Sequence, residues 1–155
     1  MAKTAIEKLN AAKQPYVKTD IPSTYTAARG AKSMLISTPL EIDRVMKRVP
    51  KGKLITFNEL RAHLAEKHHA EITCPLTTGI FANIAAHAAE EMRARGDKIL
   101  TPWWRTLKPG GVLNERFPGG AEGQRAHLVA EGFAVTKVRS RFIVESFDKH
   151  IWKPK

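Results

Sequence analysis

The side chains that could do chemistry in this sequence are a single cysteine and a small group of histidines. A thiol becomes a nucleophile when a neighbouring base or cation favours the thiolate. Cys74 stands directly before a proline and has no histidine adjacent to it in sequence. The spacings between Cys74 and His63, His68, His69 and His87 are not those of paired zinc ligands. The sequence therefore predicts no metal and no cofactor, and it leaves catalysis by Cys74 as a minor alternative.

A second group of unusual residues is the run Pro102-Trp103-Trp104-Arg105. An indole N–H donates a hydrogen bond, but it has no accessible deprotonated form and no useful basicity. A glycine-rich loop, Phe117-Pro118-Gly119-Gly120, follows and allows the backbone to approach another group closely. Adjacent tryptophans either pack in a core or line a pocket, and the residues alone leave both possibilities open.

The charge of the chain points to a polyanionic partner. Lys and Arg number 26 against 15 Asp and Glu, for a formal net charge of +11. Such an excess attracts nucleic acid first and an anionic membrane surface second, while a basic surface that merely keeps the protein soluble is the plain alternative. No apolar run reaches the length of a membrane span, and the first ten residues lack the features of a secretory signal. With one cysteine there is no internal disulfide, so we expect a soluble cytoplasmic protein, nucleoid-associated if bacterial.

The elements that must position these residues begin with two short helices. Thr38 can cap a helix that has Pro39 in its first turn and ends at Pro50. Thr56 and Glu59 form the pattern of a capping box for the next helix. The turn between the two helices carries the basic run Lys51-Gly52-Lys53.

A third, longer helix is expected to start near Thr77 or Thr78 and to stop by Gly96. Its predicted apolar face consists of Ile80, Phe81, Ile84, Ala85, Ala88 and Met92. Two short helices followed by a third, joined by brief turns, outline a helix-turn-helix unit. The pattern predicts a further helix over residues 121–132 and a basic strand over residues 138–144. We expect a partly ordered basic arm over residues 1–36, one domain over residues 37–133, and a basic extension over residues 134–155.

Four pieces of the sequence together resemble the DNA-binding domain of the 6-O-alkylguanine-DNA alkyltransferases, the methylated-DNA-protein-cysteine methyltransferase family. They are residues 49–57 (VPKGKLITF), the Pro102-Trp103-Trp104-Arg105 run, the Phe117-Pro118-Gly119-Gly120 loop, and Ala130-Glu131-Gly132, in the family's order. The resemblance extends over residues 38–133. It implies a monomeric, mainly α fold with a small β element and a winged helix-turn-helix-like core.

The resemblance also implies that this chain does not transfer alkyl groups. The family nucleophile lies in Pro-Cys-His-Arg, where this chain has Trp103 in the cysteine position and Trp104 in the histidine position. Alkyltransferase-like proteins share the first change, bind alkylated guanine without repairing it, and pass the lesion to nucleotide excision repair. We therefore expect a non-enzymatic protein that binds double-stranded DNA at alkylated or otherwise modified guanine, with nucleotide excision repair proteins as partners. The alternative is a general DNA-binding or regulatory module on the same fold, without lesion recognition.

By resemblance, the pocket for a flipped base comprises two groups of residues. Around the tryptophans it includes Trp103, Trp104 and Arg105, where the arginine holds the loop in shape. The other members are Phe117, Gly119, Gly120 and Glu131. Glu131 occupies the place of the family's relay glutamate and has no histidine partner at position 104.

The expected DNA contacts lie in the turn before the second helix and along the third helix. They are Lys51, Lys53, Thr56, Phe57, Asn58, Thr77, Thr78, Gly79 and Asn83. Phosphate binding by the lysines and by the start of the third helix is the simplest of these roles. In the family, an arginine fills the gap that the flipped base leaves in the stack of bases, and this chain has Gly79 at that position. Base flipping therefore rests on the resemblance alone.

Overall fold

The computed structural model describes residues 2–155, which form short helices and very short strands around one long helix. The helices are α1 (Ala5–Leu9), α2 (Pro39–Arg48), α3 (Phe57–Lys67), α4 (Pro75–Ala94) and α5 (Gly120–Ala130). The strands are β1 (Tyr16–Lys18), β2 (Met34–Ile36), β3 (Ile55–Thr56), β4 (Ile72–Thr73), β5 (Thr106–Leu107), β6 (Val135–Val138) and β7 (Arg141–Val144). Short 3-10 turns occupy Thr26–Ala28, Trp103–Arg105, Pro109–Gly111 and Phe147–His150. Among residues 2–155, no helix has both the length and the apolar character that crossing a membrane requires.

The starts of α2 and α3 confirm the capping residues expected from the sequence. The Thr38 hydroxyl accepts a hydrogen bond from the backbone N–H of Glu41 at 3.1 Å. At α3, the Thr56 hydroxyl accepts from the N–H of Asn58, and the Thr56 N–H donates to a carboxylate oxygen of Glu59 at 2.8 Å. These bonds satisfy N–H groups that a helix start otherwise leaves unpaired.

The long helix α4 starts at Pro75, two residues before the expected start at Thr77, because proline needs no hydrogen-bond partner in the first turn. Its apolar face also differs from the expected one. The buried positions are mostly alanines, and Ile80 is 46% exposed. The alanines are Ala82, Ala85, Ala86, Ala88 and Ala89. Helices α1 and α2 both pack against α4, and small side chains allow that close approach.

Three small sheets connect distant parts of the chain. Strand β2 pairs antiparallel with β1 and parallel with β4, which leads directly into α4. Strands β3 and β5 are parallel and align Ile55 with Thr106. Strands β6 and β7 form a hairpin, so the single strand expected over residues 138–144 is wrong. The chain reverses at Arg139 and Ser140, where Arg139 adopts φ 59°.

The N-terminal segment packs on the rest of the protein, which corrects the expectation of a partly ordered arm for its structured elements. Thr4 and Glu7 form a capping box at the start of α1. The backbone N–H groups of Ala5 and Ile6 donate to the two carboxylate oxygens of Glu91 on α4, at 3.0 and 2.9 Å. Leu9 is buried in the core beside α4. Hydrogen bonds and apolar contacts therefore attach α1 to α4.

The apolar interior consists of two adjoining clusters. The larger lies between α2, α3 and α4 and includes Trp103 and Phe117. The smaller surrounds Leu107 and Leu128, between α5 and the C-terminal hairpin. Trp104 packs against both. The loop that carries Trp103 and Trp104 therefore lies at the junction of the two clusters.

The buried side chain of Gln124 on α5 holds this loop through three hydrogen bonds to backbone. Its amide oxygen accepts from the N–H of Asn114 at 2.7 Å. Its amide nitrogen donates to the carbonyl oxygens of Trp104 at 3.0 Å and Thr106 at 2.8 Å. Each of these backbone groups would lose its partner if the amide were removed.

We expect Gln124→Leu to lower the free energy of unfolding by about 3 kcal/mol, because buried backbone groups without partners cost roughly 1–3 kcal/mol each. Urea denaturation measures this loss. Gln124→Glu is the matched control, since it keeps the acceptor for Asn114 and loses both donated bonds. A loss below about 1 kcal/mol for Gln124→Leu would show that water replaces the amide.

Candidate nucleic-acid interface

Trp103 is a core residue. It lies in the 3-10 turn Trp103–Arg105 and is 1% exposed. Its indole N–H donates to a carboxylate oxygen of Glu90 on α4 at 3.1 Å. Its ring meets the Phe117 ring edge to face, with centroids 5.7 Å apart. This placement corrects the expectation that Trp103 lines an open pocket, because its ring is enclosed on all sides.

Trp104 is half-buried and has an unused hydrogen-bond donor. Its ring stacks on His127 of α5, with centroids 4.2 Å apart and an interplanar angle of 12°. Burial lowers the pKa of His127, which favours the neutral ring at neutral pH. The Trp104 Nε1 is buried and makes no well-aligned hydrogen bond within residues 2–155, although it lies close enough to the Glu131 carboxylate to help lower the pKa of that group. Trp104, rather than Trp103, therefore carries the polar group that a ligand could satisfy.

The ion pair between Arg105 and Glu131 holds the loop that carries Trp103 and Trp104, here called the tryptophan loop. The Arg105 guanidinium donates to both carboxylate oxygens of Glu131, at 3.0 and 2.7 Å, and to the carbonyl oxygen of Val49 at 2.8 Å. Both side chains are about nine-tenths buried. Burial raises the pKa of Glu131, but the hydrogen bonds and charge of Arg105 outweigh it, so the pKa lies below its ordinary value. The pair joins the loop to the ends of α2 and α5.

The remaining predicted pocket residues lie close by but do not open a cavity. Phe117 is buried, and Gly119 and Gly120 have positive φ at the start of α5. A Cβ added at Gly123 would lie 2.5 Å from the carbonyl oxygen of Pro118, so loop and helix are in close contact. The cavities described for residues 2–155, of about 720, 830 and 460 Å³, are lined by other residues. The predicted pocket is thus a filled interior in this conformation.

The expected DNA contacts separate into exposed and buried residues. Lys51 and Lys53 are exposed in the turn before β3, and Asn58 is exposed in the first turn of α3. Thr56 and Phe57 are buried, the first as a helix cap and the second in the core. The expectation that these two contact DNA is therefore wrong for this conformation.

The expected DNA contacts on α4 also differ in burial. Thr78 is buried, and its hydroxyl donates to the carbonyl oxygen of Cys74 at 2.7 Å, so it too is unavailable for DNA contact. Thr77 and Asn83 are half-buried, and the Asn83 side-chain oxygen has no hydrogen-bond partner within residues 2–155. At Gly79, an added Cβ would meet no atom within 4 Å. Gly79 therefore faces open space.

Two apolar residues beside Gly79 are exposed, and one of them, Ile80, was expected on the buried face. Leu76 is 65% exposed and Ile80 is 46% exposed, on the first two turns of α4. Their separation of four residues places them on one face of the helix, opposite the buried alanines. The signal in the sequence is the helical spacing of the alanines, which defines the buried face and places Leu76 and Ile80 on the opposite one. The start of α4 therefore presents a small apolar surface with a gap at Gly79.

Comparison with known proteins shows the fold. No family model matches the sequence, and no curated protein matches it. The structure is similar to the crystal structure of Atl1 from S. pombe in complex with damaged DNA containing O6-carboxymethylguanine, with a TM-score of 0.53 and 19% sequence identity. The similarity covers 75% of this chain and 94% of the Atl1 chain. The mainly α fold with small sheets is therefore the alkyltransferase-like DNA-binding fold.

Substitution of Gly79 tests whether the exposed face of α4 approaches DNA. We expect Gly79→Arg to strengthen duplex binding about tenfold and to steepen its salt dependence by about one phosphate contact. Gly79→Ala is the control, because it gains about 0.5–1 kcal/mol of stability from helix propensity without adding charge. Fluorescence anisotropy measures affinity, and thermal melting measures stability. Equal affinities for the two variants would place this face away from the DNA.

The Arg105–Glu131 pair predicts a pH-dependent loss of stability. We expect Glu131→Gln to lower the free energy of unfolding by about 3 kcal/mol at pH 7, because it leaves a buried guanidinium unpaired. Since the folded pKa of Glu131 is lowered, its stabilising effect is present above the unfolded value and is lost as pH falls through the folded value. The native protein and Glu131→Gln should therefore approach the same free energy of unfolding at low pH. Urea denaturation of both at pH 7 and below pH 4 measures this.

The exposed pair Arg95–Asp97 has the same bidentate geometry and supplies the control for that experiment. We expect Arg95→Gln to leave the free energy of unfolding nearly unchanged, because solvent screens an exposed pair. If Glu131→Gln costs no more than Arg95→Gln, the buried pair does not hold the loop.

Proposed function

We propose that this chain is a non-enzymatic DNA-binding protein that recognises alkylated or otherwise modified guanine in duplex DNA and marks it for repair. The observation that carries this proposal is the fold, which it shares with nearly the whole of Atl1, a protein crystallised on damaged DNA containing O6-carboxymethylguanine. The net charge of +11 supports a polyanionic partner independently of the fold.

The chemistry of the residues supports a chain that does not transfer alkyl groups. Trp103 and Trp104 stand in the positions that resemble the family's nucleophile and base, and neither indole can form a thiolate or accept a proton. Cys74 is buried and contacts the Tyr25 hydroxyl at 3.7 Å. Burial raises the pKa of its thiol, but hydrogen bonds from Thr77 and Tyr25 outweigh that effect and lower it. A thiol buried in this way has no access to a base in DNA.

Recognition of a modified base would involve Trp104 rather than Trp103. Trp103 fills the core, whereas Trp104 is half-buried and its N–H, which lies near the Glu131 carboxylate, makes no well-aligned hydrogen bond within residues 2–155. Guanine presents an acceptor at N7 that alkylation of O6 leaves free, and an indole N–H can donate to it. An extruded base would enter beside Trp104, with the His127 ring and the loop displaced to make room.

A second function, a general DNA-binding module without lesion recognition, is favoured by the filled interior around Trp103. The predicted pocket residues pack against one another, and the described cavities lie elsewhere. Such a module would bind through lysines and helix starts, with steep salt dependence and little preference among bases.

Titration of matched duplexes with and without one 6-O-methylguanine, at two salt concentrations, separates the two functions. For lesion recognition we expect at least tenfold tighter binding of the modified duplex, about 1.4 kcal/mol, that persists at the higher salt. Fluorescence anisotropy measures both affinities. Equal affinities that fall together with salt would leave only the general module.

Two variants locate the base contact within that experiment. Trp104→Phe removes the indole N–H and retains the stacking surface, so we expect it to abolish the lesion preference and leave plain-duplex binding unchanged. Lys53→Gln is the matched control and should weaken both complexes alike. Intact mass after incubation with the modified duplex should show no added methyl group, whereas an adduct would mean that Cys74 is a nucleophile.

A further inference from the structure

A cavity of about 720 Å³ lies away from the tryptophan loop, where the N-terminal segment meets α3 and the start of α4. Arg29 lines it from the N-terminal segment, Arg61 and Asn58 from α3, and Pro75 from the first turn of α4. Neither arginine belongs to the residues that resemble the alkyltransferase motifs. The cavity is also apolar in part, because two alanines of α3 line its wall.

The two arginines place uncompensated positive charge at this cavity. Arg61 is half-buried and donates to the side-chain oxygen of Asn58 at 2.7 Å. Within residues 2–155, no carboxylate lies within ion-pair distance of Arg29 or Arg61. Glu71 lines the same cavity, and its carboxylate accepts from the backbone N–H of Lys32 at 2.9 Å. Burial and the charge of Arg29 lower the pKa of Arg61, and they outweigh the opposite effect of Cys74 and Glu59.

The backbone adds to this positive potential. Asn58 lies in the first turn of α3, and Pro75 is the first residue of α4, so both helix starts face the cavity region. The start of α4 carries partial positive charge, whereas at α3 the capping box of Thr56 and Glu59 already satisfies the first N–H groups. Guanidinium groups match the oxygens of a phosphate, which they bind through paired N–H donors. Arg29 adopts φ 50°, a conformation uncommon for residues other than glycine, at the end of the 3-10 turn Thr26–Ala28.

We propose that this cavity is a phosphate-binding site, occupied in the DNA complex by a phosphate of the strand backbone, and that Arg29 and Arg61 bind it together. The assignment to the DNA backbone rests on the proposed function. It is supported by position, since Pro75 borders the cavity and is followed by Leu76, Gly79 and Ile80 on the exposed face of α4. The N-terminal segment thereby contributes to DNA binding through Arg29.

Duplex titration of single variants tests this site. We expect Arg29→Gln and Arg61→Gln each to weaken plain-duplex binding about tenfold, the effect of one charge-assisted hydrogen bond, and to reduce the salt slope by about one. Arg61→Lys keeps the charge but loses the paired donors, so its affinity should be intermediate. Lys8→Gln removes the same charge from α1, beside the far end of α4, and should have little effect. Thermal melting confirms that each variant is folded.

A second arm uses pyrophosphate alone and separates this inference from the proposed function. We expect pyrophosphate to raise the melting temperature of the native chain and not that of Arg29→Gln or Arg61→Gln. If the native chain binds no duplex but shows this protection, the phosphate site stands and the DNA function fails. If the native chain binds duplex, both variants match it in affinity, and pyrophosphate does not raise the melting temperature of the native chain, the cavity is not a phosphate site and the DNA function stands.

Discussion

Close packing against the alanine face of α4 is the constraint on which the rest of this structure depends. Helices α1 and α2 and the tryptophan loop all contact that helix. Two consecutive glutamates near its end each accept hydrogen bonds from a different neighbouring element. Glu90 accepts the indole N–H of Trp103, and Glu91 accepts two backbone N–H groups of α1. Larger side chains in place of the alanines would separate these elements and their hydrogen bonds together.

The sequence predicted the features that depend on neighbouring residues. The caps at Thr38 and Thr56 were predictable because a helix start is satisfied by side chains within three residues. The buried face of α4 was not, because alanine is compatible with both surface and core until a partner helix is placed against it. The hairpin at Arg139 was missed for a similar reason, since neither Arg139 nor Ser140 is a usual residue of a tight turn.

The sequence indicated which residues belong near the site, but not which of them are exposed. Trp104 and Phe117 lie against Trp103, whereas the pairing of Arg105 with Glu131 was not part of the sequence prediction. Whether a large aromatic ring faces inward or outward depends on the volume that surrounding elements leave, which a motif does not encode. Likewise, Arg29 and Arg61 are far apart in sequence, and only the packed N-terminal segment brings them to one cavity.

The burial of Trp103 also limits the evolutionary routes open to this chain. A single substitution to cysteine would supply a thiol at the motif position but would empty most of the volume that the indole fills. Such a void costs on the order of 3–5 kcal/mol, a large share of the roughly 5–15 kcal/mol that stabilises an ordinary domain. The Glu90 carboxylate would lose its indole donor at the same step. A nucleophile could arise at this position only after neighbouring residues had refilled the interior.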